Sequence, residues 1–230
     1  MMYFISTPIG NLEDITLRAL RILKEVDFIV CENTLHSKKL LNHYGIKKKK
    51  LISCNEYNEK RRIPYIIERL REGKKIAFIT NAGSPIISDP GYPLIRRLIE
   101  ENLPFTFIPG PSAVIAAVVL SGFPPFFVFE GFLPRKGRKR KERLLAIKEE
   151  KRTVVIFESP KRVLKTLKDM ADIGMEEREV AIVREITKIH EEVIRGRIKE
   201  LLDMEEPRGE VTLVIKGRDD GVEEGSETAD

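Results

Sequence analysis

Short apolar runs alternate with longer amphipathic stretches along most of this chain. The first run covers 3–6. From 15 to 26, Ile15, Ala19, Ile22, Leu23 and Val26 recur at helical spacing, while Arg18, Arg21 and Lys24 take much of the other face. Asp14 is placed to cap that helix. Strand-like runs follow at 27–31, 51–54, 75–80 and 105–108, and helical stretches at 37–43, 64–71 and 93–101. Gly45 and Gly73 stand where helices stop, and Pro93 falls in a first turn, where it is tolerated. The Ala/Val-rich stretch 112–121 predicts a buried helix.

Gly122-Phe123-Pro124-Pro125 then interrupts the pattern and marks a domain boundary. Beyond it, runs at 126–130, 153–157 and 179–184 predict strands, and 138–149 and 161–170 predict helices. Shorter elements follow at 193–195, 198–204 and 210–216. Strands separated by helices imply βαβ units and a largely parallel sheet. The closer spacing in the later half implies a mixed one. The expected organisation is α/β, with one α/β domain over 1–121, a second over 122–217, and an acidic disordered tail over 218–230.

Composition narrows the class. Of 230 residues, 42% are hydrophobic and 33% charged, as in a soluble globular protein. No apolar run approaches the roughly 18 residues of a membrane span. The N-terminus enters an apolar run directly, with no basic leader, so it reads as a first strand and not as a signal peptide. Cys31 and Cys54 belong to no metal-spaced cluster, so no zinc site is expected, and two unpaired thiols fit a reducing compartment. The formal charge is +5, but the tail from Gly217 on holds six acids and one arginine. The remainder therefore has 40 basic and 30 acidic residues, a balance of +10 that fits a polyanionic partner. A heavily charged thermophile surface would account for it equally.

Ligands of α/β folds bind where strand C-termini meet loops, and four such loops here are rich in Gly, Pro and Ser. Thr7-Pro8-Ile9-Gly10-Asn11 lacks the G-x-G-x-x-G fingerprint, which argues against a dinucleotide oxidoreductase. The loop 81–91 packs two glycines and two prolines between a strand and a helix, and is long for a βα connection. Pro109-Gly110-Pro111-Ser112-Ala113 opens a helix whose N–H groups could meet a carboxylate or phosphate, or whose Ser112 is a plain cap. In Phe157-Glu158-Ser159-Pro160, Glu158 could hold a hydroxyl, act as a base, or favour the helix N-terminus. Seven of the nine residues from Arg135 to Arg143 are cationic, with the character of a phosphate-backbone binder.

Together these stretches resemble the small-subunit (16S) ribosomal RNA cytidine 2′-O-methyltransferases of the tetrapyrrole methylase superfamily. The resemblance rests on 6–20, 82–91, 109–113, Glu130-Gly131-Phe132-Leu133-Pro134-Arg135-Lys136, 157–160, 184–192 and Gly209-Glu210-Val211, and so spans nearly the whole chain. It implies two α/β domains with S-adenosylmethionine in the interdomain cleft, a homodimer, a cytoplasmic location and no metal. By motif, cofactor contacts would fall on Ile9, Gly83, Ser84, Ile87, Ser112, Ala113, Phe157, Glu185 and Val211. The implied reaction methylates a cytidine 2′-hydroxyl in small-subunit ribosomal RNA or the 30S particle. A base or polarising cation should help that hydroxyl, and Glu130, Glu158 and Lys188 are the candidates. Arg135, Lys136, Arg138, Lys139, Arg140 and Lys141 would hold the RNA backbone. Two stretches depart from the family pattern. Glu32-Asn33-Thr34-Leu35 stands where the family has Glu-Asp-Thr-Arg, and Thr80-Asn81-Ala82-Gly83-Ser84-Pro85 where it has Ser-Asp-Ala-Gly-Thr-Pro. The alternatives are a tetrapyrrole methylase of the same fold and a catalytically weakened RNA-binding paralogue.

Overall fold

The computed structural model describes residues 1–218, so all of the expected acidic tail but its first residue lies outside the described residues. The chain divides into two units, Met1–Ala113 and Val114–Asp230.

The first unit runs β1 (Met2–Ile5), α1 (Leu17–Glu25), β2 (Phe28–Cys31), α2 (Thr34–His43), β3 (Lys50–Ser53), α3 (Glu59–Arg71), β4 (Ile76–Ile79), α4 (Tyr92–Glu100) and β5 (Phe105–Ile108). Its sheet has the order β3-β2-β4-β1-β5, and every pair is parallel. The inner strands are apolar throughout because helices cover both faces. Met2, Phe4, Phe28, Val30, Ile76 and Phe78 pack with Ile66 and Leu70 of α3 and Leu94 and Leu98 of α4. Ile5, Ile29, Cys31, Ala77 and Ile79 pack with Ala19, Ile22 and Leu23 of α1 and Leu41 of α2. Each fully buried Leu, Ile or Phe among these contributes about 1.5–3 kcal/mol. The chain leaves β1 towards β2 and leaves β4 towards β5, although β1 and β4 are neighbours. That reversal is the topological switch point at which open α/β sheets form a ligand crevice.

Two helix starts differ from expectation. Thr16, not Asp14, caps α1, its hydroxyl accepting from the Ala19 N–H at 3.1 Å. Asp14 instead ends a 3-10 turn, Leu12–Asp14, capped by Asn11. The third helix begins at Glu59, before Pro64, because a proline near a helix start removes only one bond of the ladder.

The second unit runs α5 (Ala113–Ser121), β6 (Phe127–Phe132), α6 (Arg138–Glu149), β7 (Thr153–Glu158), α7 (Val163–Ala171), β8 (Glu179–Arg184), β9 (Glu192–Arg197), α8 (Ile198–Leu201) and β10 (Val211–Ile215). Its sheet is mixed, in the order β6-β7-β10-β8-β9, with only β6 and β7 parallel. One face packs Val154, Ile156, Val180, Ile182 and Leu213 against Leu144 and Ile147 of α6, Val163, Leu167 and Met170 of α7, and Ile198 of α8. A bulge in β6 between Phe129 and Gly131 leaves Glu130 out of register. The helix expected to be buried, α5, buries Val114, Ala117 and Val118 but exposes Ile115 and Val119, at 54% and 74%. No helix among the described residues is long and apolar enough to cross a membrane.

Candidate functional site

In the first unit, the loops after β1 and β4 are stitched together at the switch point. Thr7 N–H donates to the Gly83 carbonyl at 2.9 Å, and Gly83 N–H returns to the Thr7 carbonyl at 3.0 Å. The Ser6 and Ser84 hydroxyls meet at 2.7 Å. Gly83 holds φ +69°, and a Cβ there would come into van der Waals contact with Ile9 Cγ2 at 3.4 Å. The loop after β5 approaches the same place, since a Cβ on Gly110 would lie 3.0 Å from Ser6 Cβ. The structure thus brings Ile9, Gly83 and Ser84 together. Ile87 lies further along the same loop and is exposed. Ser112 and Ala113, half-buried, stand at the start of α5. The loop 81–91 also holds Ile86 at φ +78° and Ser88 at φ +64°. A β-branched residue in that region is strained by about 1–3 kcal/mol, a cost typical of functional loops.

One pair in this unit escaped the sequence reading. Glu32 follows β2 and Thr80 follows β4, and the register Cys31↔Ile79 sets their strand ends side by side. The Asn81 N–H donates to Glu32 Oε2 at 3.2 Å. Asp89 returns along the loop to hydrogen-bond the Thr80 hydroxyl. Burial first, and then the charge of Glu32, push the Asp89 carboxyl up to about 7 from 3.8. The only signal in the sequence is an acid inside a Gly/Pro loop that follows a buried strand. Asn33, where the family has Asp, caps α2 by accepting from the Leu35 and His36 N–H groups.

In the second unit, the expected residues gather at one end of the central strands. Val211 opens β10 and registers with Glu158 of β7 on one side and Arg184 of β8 on the other. Phe157 packs edge-on against Phe129, with centroids 4.9 Å apart. Glu185, next after β8, holds φ +52°, and its carboxylate accepts from the Glu210 N–H and the Lys188 ammonium, each at 2.8 Å. Lys188 also reaches Glu210 at 3.0 Å. Burial pulls the Lys188 ammonium down, but its hydrogen bonds to Glu185 and Glu210 outweigh that and leave its pKa raised. Lys188 is therefore a fixed cation, not a base at neutral pH.

The other two catalytic candidates differ from each other. Glu130 is half-buried and pairs with Arg143 at 2.8 Å. Glu158 is buried, and both its oxygens are occupied. Oε1 accepts from the Ser159 N–H at 2.9 Å and faces Arg162 at 3.2 Å, while Oε2 accepts from the Thr166 hydroxyl at 2.8 Å. Glu158 is a structural anchor, not a free base. Arg140, expected to reach RNA, belongs to the same network and is 4% exposed. Its guanidinium donates to Asp169 at 2.7 Å, to the Pro134 carbonyl at 3.1 Å and to Thr166 at 2.9 Å. It fastens α6 to α7 and to the segment before α6. Arg135, Lys136, Arg138, Lys139 and Lys141 are exposed, with Arg138 paired to Glu142 at 2.6 Å. No group of three or more His, Cys, Asp or Glu side chains that could hold a metal ion occurs among the described residues.

Comparison with known proteins places this geometry. A family model described as tetrapyrrole (corrin/porphyrin) methylases matches residues 1–202. A protein of Thermotoga maritima named ribosomal RNA small subunit methyltransferase I is 49% identical, over 95% of this chain and 99% of its own length. Its namesake in Haemophilus influenzae is 42% identical, over 95% of this chain and 79% of its own length. Among solved structures, diphthine synthase superposes with a TM-score of 0.74 at 13% identity, covering 94% of this chain and 89% of its own. A cobalt precorrin-4 methyltransferase does so with 0.66 at 21% identity, covering 94% of each chain. At those identities the two structures bear on the fold alone.

Proposed function

The chain belongs to the tetrapyrrole (corrin/porphyrin) methylase family, and from that premise we propose that it transfers a methyl group from S-adenosylmethionine to the ribose 2′-hydroxyl of a cytidine in small-subunit ribosomal RNA. The observation that carries this reading is the end-to-end similarity to ribosomal RNA small subunit methyltransferases, 49% over 95% of the chain in one case.

The residues fit the donor. The stitched loops of the first unit offer the Ser6 and Ser84 hydroxyls. Gly83 and Gly110 keep side-chain bulk away from the backbone there. The carboxylate of Glu32, which accepts from the Asn81 N–H of the same loop, suits a cationic sulfonium. Ile9, Gly83, Ser84, Ile87, Ser112 and Ala113 would hold the donor, and Phe157, Glu185 and Val211 are the further contacts that the resemblance implies. When bound, S-adenosylmethionine supplies a methyl group already activated by the sulfonium. The chain's own task is then to align the attacking oxygen and manage its proton. Lys188, fixed as a cation, would polarise that oxygen, with Glu130 the remaining acid of the second unit for positioning.

Arg135, Lys136, Arg138, Lys139 and Lys141 would follow the RNA backbone. They supply affinity without sequence choice, and the substrate is either the bare RNA or the 30S particle. The protein would act in the cytoplasm as a homodimer, with the exposed apolar positions of α5 as support. Mapping ribose methylation on small-subunit RNA incubated with the protein and S-adenosylmethionine tests the reading. One new protected cytidine is expected. Folded protein that adds no methyl group to unmodified substrate would overturn it.

A further inference from the structure

We propose that Phe132, at the end of the edge strand β6, is a platform on which an unpaired base of the RNA substrate stacks while the cations just after it hold the phosphates. The inference rests on the functional reading above. It adds a contact to the bases, which a cationic segment alone does not make.

The placement follows from the second sheet. The strand β6 lies at the sheet edge and pairs with β7. Successive residues of a strand face opposite ways. Ile156 of β7 packs in the core with α6 and α7, so Val155 and Phe157 point to the other face. Phe129 and Phe132 register with those two residues. The Phe132 and Phe157 ring centroids lie 5.6 Å apart with planes tilted by 55°, and Phe129 meets Phe157 at 4.9 Å. Phe129 and Phe157 are half-buried, whereas Phe132 is 58% exposed. Its ring is therefore braced on one side by Phe157 and open to solvent over the rest.

Its setting is also rigid. The next residue, Leu133, is buried in the core. Arg162 donates to the Leu133 carbonyl at 2.9 Å, and Arg140 to the Pro134 carbonyl at 3.1 Å. Both guanidiniums are held in turn, Arg162 facing Glu158 at 3.2 Å and Arg140 donating to Asp169 at 2.7 Å. The Thr166 hydroxyl joins them, accepting from Arg140 at 2.9 Å and donating to Glu158 at 2.8 Å. This network thus fixes the stretch between the exposed ring and the exposed cations Arg135 and Lys136. Three extended residues span at most about 11 Å, so one short stretch of RNA can touch both. A lone exposed apolar side chain is ordinary. A braced ring beside a run of cations is what single-stranded nucleic acid requires, a π-face for the base and positive charge for the phosphate. A second copy on this surface would set the same cations against one another.

Filter binding of Phe132→Ala, Phe132→Leu and Phe132→Trp to protein-free small-subunit RNA and to 30S particles, at several salt concentrations, tests this. On whichever of the two wild type binds more tightly, Phe132→Ala should weaken binding about 5- to 150-fold. The slope of log affinity against log salt should stay that of wild type, because no phosphate contact is lost. Phe132→Trp should bind at least as well as wild type, and Phe132→Leu, apolar but without a π-face, should resemble Phe132→Ala. The chain has no tryptophan of its own, so the one introduced reports on this position directly. An oligocytidine strand should quench its fluorescence, and heparin, a polyanion without bases, should not. A Phe132→Ala affinity within twofold of wild type, a Phe132→Leu affinity equal to wild type, or quenching by heparin as strong as by oligocytidine overturns the proposal while the functional reading stands. So does a Phe132→Ala protein that changes oligomeric state in sedimentation equilibrium, which would make the ring a contact between copies. A wild-type protein that binds neither the RNA nor 30S particles overturns the reading and the proposal together.

Discussion

At the residue scale, two positions make opposite demands on stability. Asp89 has a folded-state pKa of about 7 against an ordinary 3.8. Between those values the folded protein binds a proton that the unfolded chain has lost. The resulting stability is fully present at low pH and disappears as pH rises towards 7. Asparagine carries no such dependence. The melting temperature of Asp89→Asn minus that of wild type should therefore grow from pH 4 to 7 and level off above. A difference that stays flat across calorimetric scans at those pH values would show that Asp89 is not perturbed. Gly209 is the reverse case. It holds φ +85°, and a Cβ there would lie 2.3 Å from Glu185 Cδ. Gly209→Ala must displace the carboxylate that fixes Lys188, so a loss of about 1–3 kcal/mol by denaturant titration is expected. Weaker donor binding should accompany it.

At the element scale, α6 shows how one helix serves packing and recognition with the same residue type. Arg140 ties it to Asp169 and Thr166 of α7, while Lys139 and Lys141 flank Arg140 and stay exposed. Arg140→Met should cost about 3 kcal/mol or more, because Asp169, Thr166 and the Pro134 carbonyl lose the buried guanidinium that joins them. Replacing Arg135, Lys136, Lys139 and Lys141 by Ala should leave melting unchanged. It should instead lower the slope of log affinity against log salt for RNA by about three, measured by filter binding at several salt concentrations. The sequence predicts α6 over the residues it occupies, and it predicts β5 and β8 equally well, because spacing and turn residues are local. It does not distinguish Arg140 from its neighbours, because the partner that buries it lies 29 residues away. Glu158 was open to several roles for the same reason. The effect of Glu32 on Asp89 depends on β2 lying beside β4, and α2, β3 and α3 intervene between those strands along the chain. The loops at the strand ends were legible because Gly, Ser and Pro cluster there, while the donor contacts expected within them came from the family resemblance.

At the scale of the whole molecule, the apolar surface carries an argument that charge does not. The sequence of α5, Ala-Val-Ile-Ala-Ala-Val-Val-Leu-Ser, contains no charged residue, yet Ile115 and Val119 are largely exposed. The edge strand of the first sheet, β5, separately leaves Phe105 and Phe107 exposed. Single exposed apolar side chains are ordinary, but a helix with no polar face is built to be covered. The homodimer proposed above would cover that face with a second copy, since a two-fold interface uses the same patch from both subunits. The long cations at 135–141 suit RNA and not this role. Ile115→Asp together with Val119→Asp would place two like charges from each copy across that interface, at a cost of several kcal/mol. Sedimentation equilibrium at micromolar concentration should then give a dimer for wild type and a monomer for the double variant. The variant with Ala at Arg135, Lys136, Lys139 and Lys141 should stay dimeric. A wild-type monomer at that concentration, or a double variant that still dimerises, would remove α5 as the interface. The same samples tie assembly to catalysis: if each site needs its partner, the monomer should bind RNA through its basic segment yet transfer methyl groups more slowly than the dimer.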